Sequence, residues 1–237
     1  MPGREKWVDM ECVEYRDLGM IDYGECWQLQ RELFDEVLSR RSAEGPAVGA
    51  GYVLVCEHPH VYTLGKSGHS ENMLVSEEQL KRLGAQFYHI DRGGDITYHG
   101  PGQLVCYPIL DLGRIGLGLK DYIHRIEEAV IECAGEYGVV GRRIESAAGV
   151  WIVDGKSAPR KLCALGVRSS HFVTMHGFAL NVSTDLSYFT HINPCGFSDR
   201  GATSLERETG HAVSMGDVKE RIVKCLERNL NVRIYKN

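Results

Sequence analysis

Three apolar segments follow one another in the second half of the chain with only short turns between them. Their sequences are GVWIV, KLCALGV and HFVTMHGFALNV, and the pair Asp154-Gly155 marks a turn after the first. Strand-type segments in direct succession indicate a group of neighbouring antiparallel strands. They exclude a regularly alternating, doubly wound fold and predict an α+β, or mixed α/β, domain.

Helices are predicted where apolar residues recur at helical spacing. This spacing predicts an amphipathic helix over 23–40, a longer helix over 119–133 that packs on the sheet, and a final helix over 218–226. A serine cap and a closing glycine mark a short helix over 76–84. Two further apolar runs, YVLVCEHP and QLVCYPI, are typical of buried strands.

The chain has 237 residues, 43% of them hydrophobic, which is enough to bury a substantial core. It contains no linker, repeat or low-complexity tract, so we expect a single domain over 1–237. No apolar stretch is long enough for a signal peptide or a membrane span, which predicts a soluble, cytoplasmic protein. A net charge of −5 argues against general nucleic-acid binding.

The stretch RGGDITYHGPGQ, residues 92–103, combines four glycines and a proline with polar side chains. Glycine lets main-chain groups approach a ligand closely, so the stretch is either a set of turns or the wall of a site. The chain lacks the phosphate-binding patterns GxxxxGK[ST] and GxGxxG, and it also lacks HExxH and GxSxG. Phosphate binding is therefore unsupported.

Residues Cys56, His58 and His60 are the nearest approach to a metal-ligand cluster, because they alternate on one side of an extended chain. Pro59 and the strand context equally allow a structural role. We expect no metal site and no cofactor.

The eight cysteines include no Cys-x-x-Cys pair, which favours free thiols in a reducing compartment. Cys195 differs from the cysteines in strands and helices, because it lies between a proline and a glycine in a polar segment where a nucleophile is accessible. Of the seven other cysteines, we assign five to packing: Cys56, Cys106, Cys133, Cys163 and Cys225.

A cysteine nucleophile needs activation, since its ordinary pKa is about 8.5. A helix N-terminus contributes about 0.3–1 kcal/mol, whereas a cation about 4 Å away contributes about 4 kcal/mol at an effective dielectric of 20, before desolvation. A nearby basic side chain is therefore the stronger cause. Lys161 lies at the start of an apolar run. It is either the basic side chain that activates the thiol or an ordinary charged residue whose ammonium extends to water. The full set of candidates is His99, His176, His191, Arg92 and Lys161.

Seven segments together resemble the lipoyl(octanoyl) transferases. They are EHPHVYTLG, RGGDITYHGPGQLVCYPI, GVW, KLCALGV, HGFALNV, NPCGF and ATSL, in order from Glu57 to Leu205. The resemblance implies the fold of biotin and lipoate protein ligases, with a core over about 50–210. It also implies transfer of an octanoyl group from acyl carrier protein to a lysine of a lipoyl domain, without ATP, metal or other cofactor.

Carried over by position, the family's nucleophile matches Cys195 and the basic residue that tunes it matches Lys161. The resemblance places the substrate-binding segments at three positions, and we expect Tyr98 and His99 to shape the polar end of the site. The matching residues are Arg92, Gly93, Gly94, Asp95, Ile96, Thr97, Tyr98, His99, Ala164, Leu165, Gly166, Gly177, Phe178 and Ala179.

Two departures from the family pattern concern the neighbourhood of Lys161. Cys163 stands where the family commonly has alanine or serine, and we assign it to packing near the site. The segment SAPRK is longer than the usual turn.

The expected partners are octanoyl-acyl carrier protein as donor, and as acceptors the lipoyl domains of 2-oxoacid dehydrogenase complexes and the glycine cleavage H protein. Such partners are acidic as families, so an acidic enzyme needs a basic landing area. Alternatives are an ATP-dependent lipoate–protein ligase on the same fold and a non-catalytic lipid-binding module. The candidates for the landing area are Arg142, Arg143, Lys156, Arg160 and Arg168.

Overall fold

The computed structural model describes residues 10–41, 49–145, 147–193 and 201–236. Within these ranges the helices are α1 (Tyr23–Arg40), α2 (Glu77–Arg82), α3 (Leu119–Gly135), α4 (Leu205–Thr209) and α5 (Met215–Leu230). The strands are β1 (Cys12–Met20), β2 (Gly51–Glu57), β3 (Val61–Leu64), β4 (Gln86–His89), β5 (Ile96–His99), β6 (Gln103–Leu110), β7 (Arg142–Ile144), β8 (Ala147–Ile152), β9 (Arg160–Ser170), β10 (Val173–Asn181), β11 (Gly201–Ala202) and β12 (Arg233–Lys236).

The main sheet has the strand order β12-β1-β2-β6-β10-β9-β8-β7, with β11 paired to β9. The predicted antiparallel group is confirmed, since β8 pairs with β9 and β9 pairs with β10 in antiparallel register. The edge formed by β12, β1 and β2 is parallel, which the sequence did not reveal. The α+β, or mixed α/β, fold class is confirmed.

Both faces of the main sheet are covered, which explains why every residue of β6 is buried. Side chains alternate along a strand, so Leu104 and Cys106 face α3 and α5, whereas Val105 and Tyr107 face α1. The predicted packing of the helix over 119–133 on the sheet is therefore confirmed.

A second, three-stranded sheet with the order β4-β3-β5 packs beside the start of α1. Tyr23, in the first turn of α1, contacts Val61 and Ile90 in one apolar cluster, and its ring lies 5.3 Å from that of Tyr88. Asp22 caps α1 by accepting from two backbone N–H groups, and it also accepts from Gln86 at 3.0 Å. The small sheet is thereby held over the α1 face of the main sheet, with a space between them.

The central part of the main sheet is interrupted beside Pro108. Proline has no N–H to donate, and the pairing of β10 with β6 covers Phe178–Asn181 and stops at Cys106. At this point His176 adopts a left-handed φ of 62°, and the Thr174 hydroxyl donates to the Pro108 carbonyl at 2.8 Å. The irregularity turns the chain at His176 and Gly177, two residues that line the space described below.

The four predicted helices are all present, and the first begins and ends where the pattern places it. Ser76 forms a complete capping box with Gln79. The sequence SAEGPAVGAG, residues 42–51, predicts a break after the first helix, and most of it lies outside the described residues. None of the helices in the described ranges is long and apolar enough to span a membrane.

Candidate active site

A cavity of about 940 Å³ lies between the main sheet and the small sheet. Strands β6, β9 and β10 form one wall, the segment 92–99 forms another, and the 3₁₀ helix over Leu186–His191 contributes to the rim. Twelve of the fourteen predicted substrate-binding residues line it. They are Arg92, Gly94, Asp95, Ile96, Thr97, His99, Ala164, Leu165, Gly166, Gly177, Phe178 and Ala179.

The register of β9 and β10 brings two of the predicted segments face to face. Gly166 pairs with Gly177, and Ala164 pairs with Ala179. A Cβ added to Gly166 would lie 2.7 Å from the Gly93 carbonyl oxygen and 3.1 Å from Arg92 Cδ. Glycine at this position therefore lets the segment 92–95 approach the sheet closely.

Arg92 holds the glycine-rich wall in place. Its guanidinium donates to the Thr63 carbonyl at 2.9 Å, to the Thr63 hydroxyl at 3.1 Å and to the Gly93 carbonyl at 3.0 Å. The side chain of Asp95 fixes the other end of the turn, accepting from Asn72 at 2.6 Å and from the Ile96 N–H at 2.7 Å. The conformation of the wall is thus set by charged groups that also border the cavity.

Two predicted substrate-binding residues do not line the cavity. Gly93 donates its N–H to the Val167 carbonyl and joins the wall to β9. Tyr98 is fully buried: its hydroxyl lies 2.7 Å from His60 Nδ1, and its ring stacks on Tyr188. Side chains alternate along β5, so Tyr98 points away from the neighbouring His99, and the expectation that both shape the polar end is wrong for Tyr98.

His99 is a neutral member of the cavity wall. Burial, followed by the nearby charge of His58, lowers its pKa to about 3, so it carries no charge near neutrality. Its ring stacks on Tyr23 with centroids 5.9 Å apart, and Nδ1 lies 2.8 Å from Gln103 Oε1. A basic role for His99 in activating a thiol is therefore disfavoured.

A buried polar chain runs from His99 to the strand that carries Lys161. Gln103 donates to Asn181 at 2.9 Å, Asn181 donates to the Thr203 carbonyl at 2.9 Å, and the Thr203 N–H donates to the Lys161 carbonyl at 2.9 Å. We did not predict Gln103 and Asn181 as site residues. The sequence feature that could have identified them is a polar residue at the end of an otherwise apolar strand, since Gln103 begins β6 and Asn181 ends β10.

Lys161 is placed on the cavity wall by β8 and β9. It pairs directly with Trp151, and its Nζ lies 4.5 Å from the centroid of the Trp151 ring. The indole is itself fixed, because Nε1 donates to the Ala147 carbonyl at 2.9 Å. An ammonium group is thus held beside the cavity on an aromatic face.

Cys195 lies outside the described residues, within the segment 194–200. The described residues that flank this segment both line the cavity. Asn193 donates its N–H to the Asn72 carbonyl at 2.8 Å, and Gly201 begins β11, in which Ala202 pairs with Lys161. The described residues on both sides of the segment that contains the predicted nucleophile therefore lie at the cavity wall.

The two remaining basic candidates are engaged elsewhere. His176 borders the cavity, but its Nε2 lies 2.8 Å from the carboxylate of Asp91, and burial lowers the pKa of His176. Nδ1 of His191 lies 3.0 Å from the Tyr62 hydroxyl, and His191 does not line the cavity. Arg92 is occupied in the wall. Lys161 is the candidate that pairs with β11, the strand that follows the Cys195 segment in sequence.

The five cysteines assigned to packing are all buried. Burial raises the pKa of the Cys163 thiol, although the positive charge of Lys161 acts in the opposite direction. Cys163 is not among the residues that line the cavity, and its backbone carbonyl would lie 2.3 Å from a Cβ added at Gly149. A thiol in this position is a small core residue.

Three of the five predicted landing residues are in ion pairs. Arg143 donates to Glu127 and Glu128, Arg160 to Asp154 and Glu208, and Arg168 to Asp91. Arg142 and Lys156 are exposed. A docking surface built on these residues would therefore depend mainly on Arg142 and Lys156, because a paired guanidinium attracts an acidic partner less.

The chain matches the family model described as the lipoyl protein ligase A/B catalytic domain over residues 22–227. It is 58% identical over 209 residues to an octanoyltransferase of Bacteroides fragilis, covering 87% of this chain and 92% of that protein.

The chain is also similar to solved structures at low sequence identity, of which two serve as examples. The bipartite lipoate protein ligase of Thermoplasma acidophilum has a TM-score of 0.69 at 16% identity, covering 96% of this chain and 86% of that one. The biotin protein ligase of Aquifex aeolicus in complex with biotin and ATP has a TM-score of 0.52 at 16% identity, covering 92% and 70%. The expected fold is confirmed.

Proposed function

The chain belongs to the octanoyltransferases of the lipoyl protein ligase A/B catalytic family, and from this premise we propose its donor, its acceptor and its nucleophile. The donor is octanoyl-acyl carrier protein, the acceptor is a lysine of a lipoyl domain, and the octanoyl group passes through a thioester on Cys195. The observation that carries the proposal is the position of Lys161 on the cavity wall, paired with the strand that follows the Cys195 segment.

In the first half-reaction the Cys195 thiolate attacks the carbonyl carbon of the donor thioester. A carbon–sulfur bond forms to the enzyme, the bond to the carrier's thiol breaks, and the leaving thiolate takes a proton from the Lys161 ammonium, which leaves Lys161 neutral. One thioester replaces another, so this step is nearly balanced in free energy. The ammonium of Lys161, held on Trp151, favours the thiolate form of the nucleophile by its charge.

In the second half-reaction the amine of the acceptor lysine attacks the acyl-enzyme. The amide bond forms, the Cys195 sulfur leaves as a thiolate, and the attacking amine loses a proton. Neutral Lys161 can accept that proton, which returns the pair to thiolate and ammonium. Amide formation from a thioester is downhill, so it drives the cycle without ATP.

The cavity supplies the binding energy for the acyl chain. Its volume lies near the upper end of the roughly 300–1,000 Å³ typical of ligand sites, and apolar and small residues of β9 and β10 form one side. Burying about six methylenes contributes about 5 kcal/mol at about 0.8 kcal/mol each. The glycines at 166 and 177 keep side chains out of the space that the chain would occupy.

The direct test is intact mass spectrometry after incubation with octanoyl-acyl carrier protein in the absence of ATP. We expect a covalent octanoyl adduct on the wild-type chain and on Cys163→Ala, whose thiol is buried in the core. Cys195→Ala should form none. An adduct that persists in Cys195→Ala would contradict the proposed nucleophile.

The same assay separates transfer from ligation. A lipoate–protein ligase would modify the lipoyl domain from free octanoate and ATP, and it would tolerate Cys195→Ala. We expect no product from that pair of substrates and full dependence on the acyl carrier protein thioester.

A further inference from the structure

A second group of reactive side chains lies on the α1 face of the main sheet, outside the lining of the cavity. The ligand atoms of Cys26, Cys56 and His58 all lie within 4.8 Å of one another. Cys26 comes from α1, Cys56 from β2, and His58 follows β2 directly. All three residues are fully buried, and none of them lines the cavity.

The membership of this cluster differs from the sequence pattern. His60 is directed away from it, stacking on Tyr188 with centroids 4.2 Å apart and hydrogen bonding with Tyr98. Strand β2 ends at Glu57, so the alternation that would place His60 beside Cys56 is lost. Cys26 takes its place because α1 packs across β2.

The geometry of the histidine matches that of a metal ligand. Nδ1 of His58 lies 2.8 Å from the backbone carbonyl of Ile21, a contact that places the proton on Nδ1 and leaves a lone pair on Nε2. Nε2 lies 3.5 Å from Cys56 Sγ. With metal–sulfur and metal–nitrogen bonds of about 2.3 and 2.0 Å, a sulfur and a nitrogen ligand of one tetrahedral zinc ion are about 3.5 Å apart.

Charge favours a divalent ion in so apolar a position. Two thiolates and a neutral imidazole give a net charge of zero with a divalent cation, whereas a monovalent ion would leave a buried negative charge. Binding replaces two S–H bonds with two metal–sulfur bonds and releases two protons.

We propose that Cys26, Cys56 and His58 form a structural site for a zinc-class divalent ion. The Tyr107 hydroxyl, 2.8 Å from His58 Nε2, would exchange its hydrogen bond to this nitrogen for a bond to the ion and so complete the coordination. Tyr107 also lines the acyl cavity, so the ion would brace one wall of that cavity through it. No step of the proposed acyl transfer passes through the ion, because none of its three protein ligands lines the cavity.

The test is native mass spectrometry of the full chain after refolding with excess Zn²⁺ under reducing conditions. Refolding is used because the ligands are buried in the folded chain. We expect one zinc per chain with the loss of two protons. Refolding with Co²⁺ should give thiolate-to-metal charge-transfer absorption and the visible bands of a tetrahedral site.

Matched cysteine variants locate the ion. Cys26→Ala, Cys56→Ala and the nearly isosteric Cys56→Ser should lose the zinc and the charge-transfer absorption. Cys106→Ala is the control, because Cys106 is equally buried on the strand beside β2 but faces the other side of the sheet. Cys195→Ser should also retain the metal, which separates this site from the proposed nucleophile.

Three results would overturn the site. One is a wild-type chain that takes up no zinc or cobalt on refolding. Another is a Cys56→Ser chain that folds and binds as much metal as Cys106→Ala. The last is a mass lower by two hydrogens that maps to a Cys26–Cys56 disulfide under the same reducing conditions. The octanoyl adduct assay is independent of all three, so each proposal can fail without the other.

Discussion

Lys161 illustrates how a single charged residue is positioned by its neighbours. Its pairing with Trp151 across β8 and β9 places Nζ 4.5 Å from the indole centroid, and the backbone of Lys161 also accepts the N–H of Thr203. The ammonium is therefore held at the junction of β9 and β11. A charge fixed in this way acts on a nearby thiol without the entropy loss of ordering a flexible side chain.

The corresponding prediction concerns the pH dependence of alkylation at Cys195. In the wild-type chain the midpoint should lie below the ordinary thiol value of about 8.5, and Lys161→Ala should raise it by about one unit or more. The measurement is the rate of iodoacetamide modification of Cys195, followed by peptide mass spectrometry from pH 5 to 9. Lys156→Ala, which removes an exposed charge from the preceding loop, should leave the midpoint unchanged. Equal midpoints for Lys161→Ala and wild type would refute the activation.

At the scale of elements, the close approach of β9 to the glycine-rich wall defines the cavity. Gly166 lies against the Gly93 carbonyl, and Gly93 donates its N–H to Val167, so the wall is joined to the strand by its main chain. The glycines of the segment 92–103 predicted turns or the wall of a site, and its contact with β9 was not predicted. The interruption of β10 beside Pro108 could not be predicted from local sequence either. Both features depend on contacts between distant parts of the chain.

Substituting Gly166 with alanine tests this contact. The new Cβ would lie 2.7 Å from a backbone oxygen, so the wall must shift, with an expected loss of about 1–3 kcal/mol in the free energy of unfolding. Formation of the octanoyl adduct should slow as well. Urea denaturation and the adduct assay report the two effects.

The matched control is Gly135→Ala, at the end of α3, where an added Cβ has no neighbour within 4 Å. It should be neutral or stabilise the chain by up to about 1 kcal/mol, with unchanged adduct formation. If Gly166→Ala behaves like this control, the close approach does not constrain the wall.

For the molecule as a whole, a neutral histidine buried between the two sheets links stability to pH. The pKa of His99 falls from 6.5 to about 3 on folding, so the unfolded chain binds the extra proton below pH 6.5. This contribution to stability is complete above pH 6.5 and is lost progressively as the pH falls towards 3. Between pH 7.5 and 5 the loss from His99 amounts to about 2 kcal/mol.

His99→Asn isolates this effect, because asparagine can still donate to Gln103 but does not titrate in this range. The free energy of unfolding of the variant should fall less than that of the wild type between pH 7.5 and 5, by about 2 kcal/mol. Urea unfolding at the two pH values measures the difference. Parallel losses in both chains would show that His99 is not the linked group.

Local patterns in the sequence determined which segments form helices and which form strands. They also separated Cys195 from the cysteines that pack in the core. The helix over 23–40, the cap at Ser76 and the antiparallel strands after Gly149 follow from periodicity and turn residues, which act within about ten positions. The same local environment distinguished Cys195 from the core thiols. The family resemblance then supplied the roles of Cys195 and Lys161, and these two roles stay predictions.

Tertiary structure decided which side chains share one space. Tyr98 and His99 are neighbours in sequence but face opposite sides of β5, while Gln103 and Asn181 meet from different strands. Tertiary structure also placed Cys26, and not His60, beside Cys56 and His58. It likewise paired β1 with β12 in parallel register. A local pattern describes the faces of one element, whereas these contacts depend on which elements the hydrophobic core brings together from distant parts of the chain.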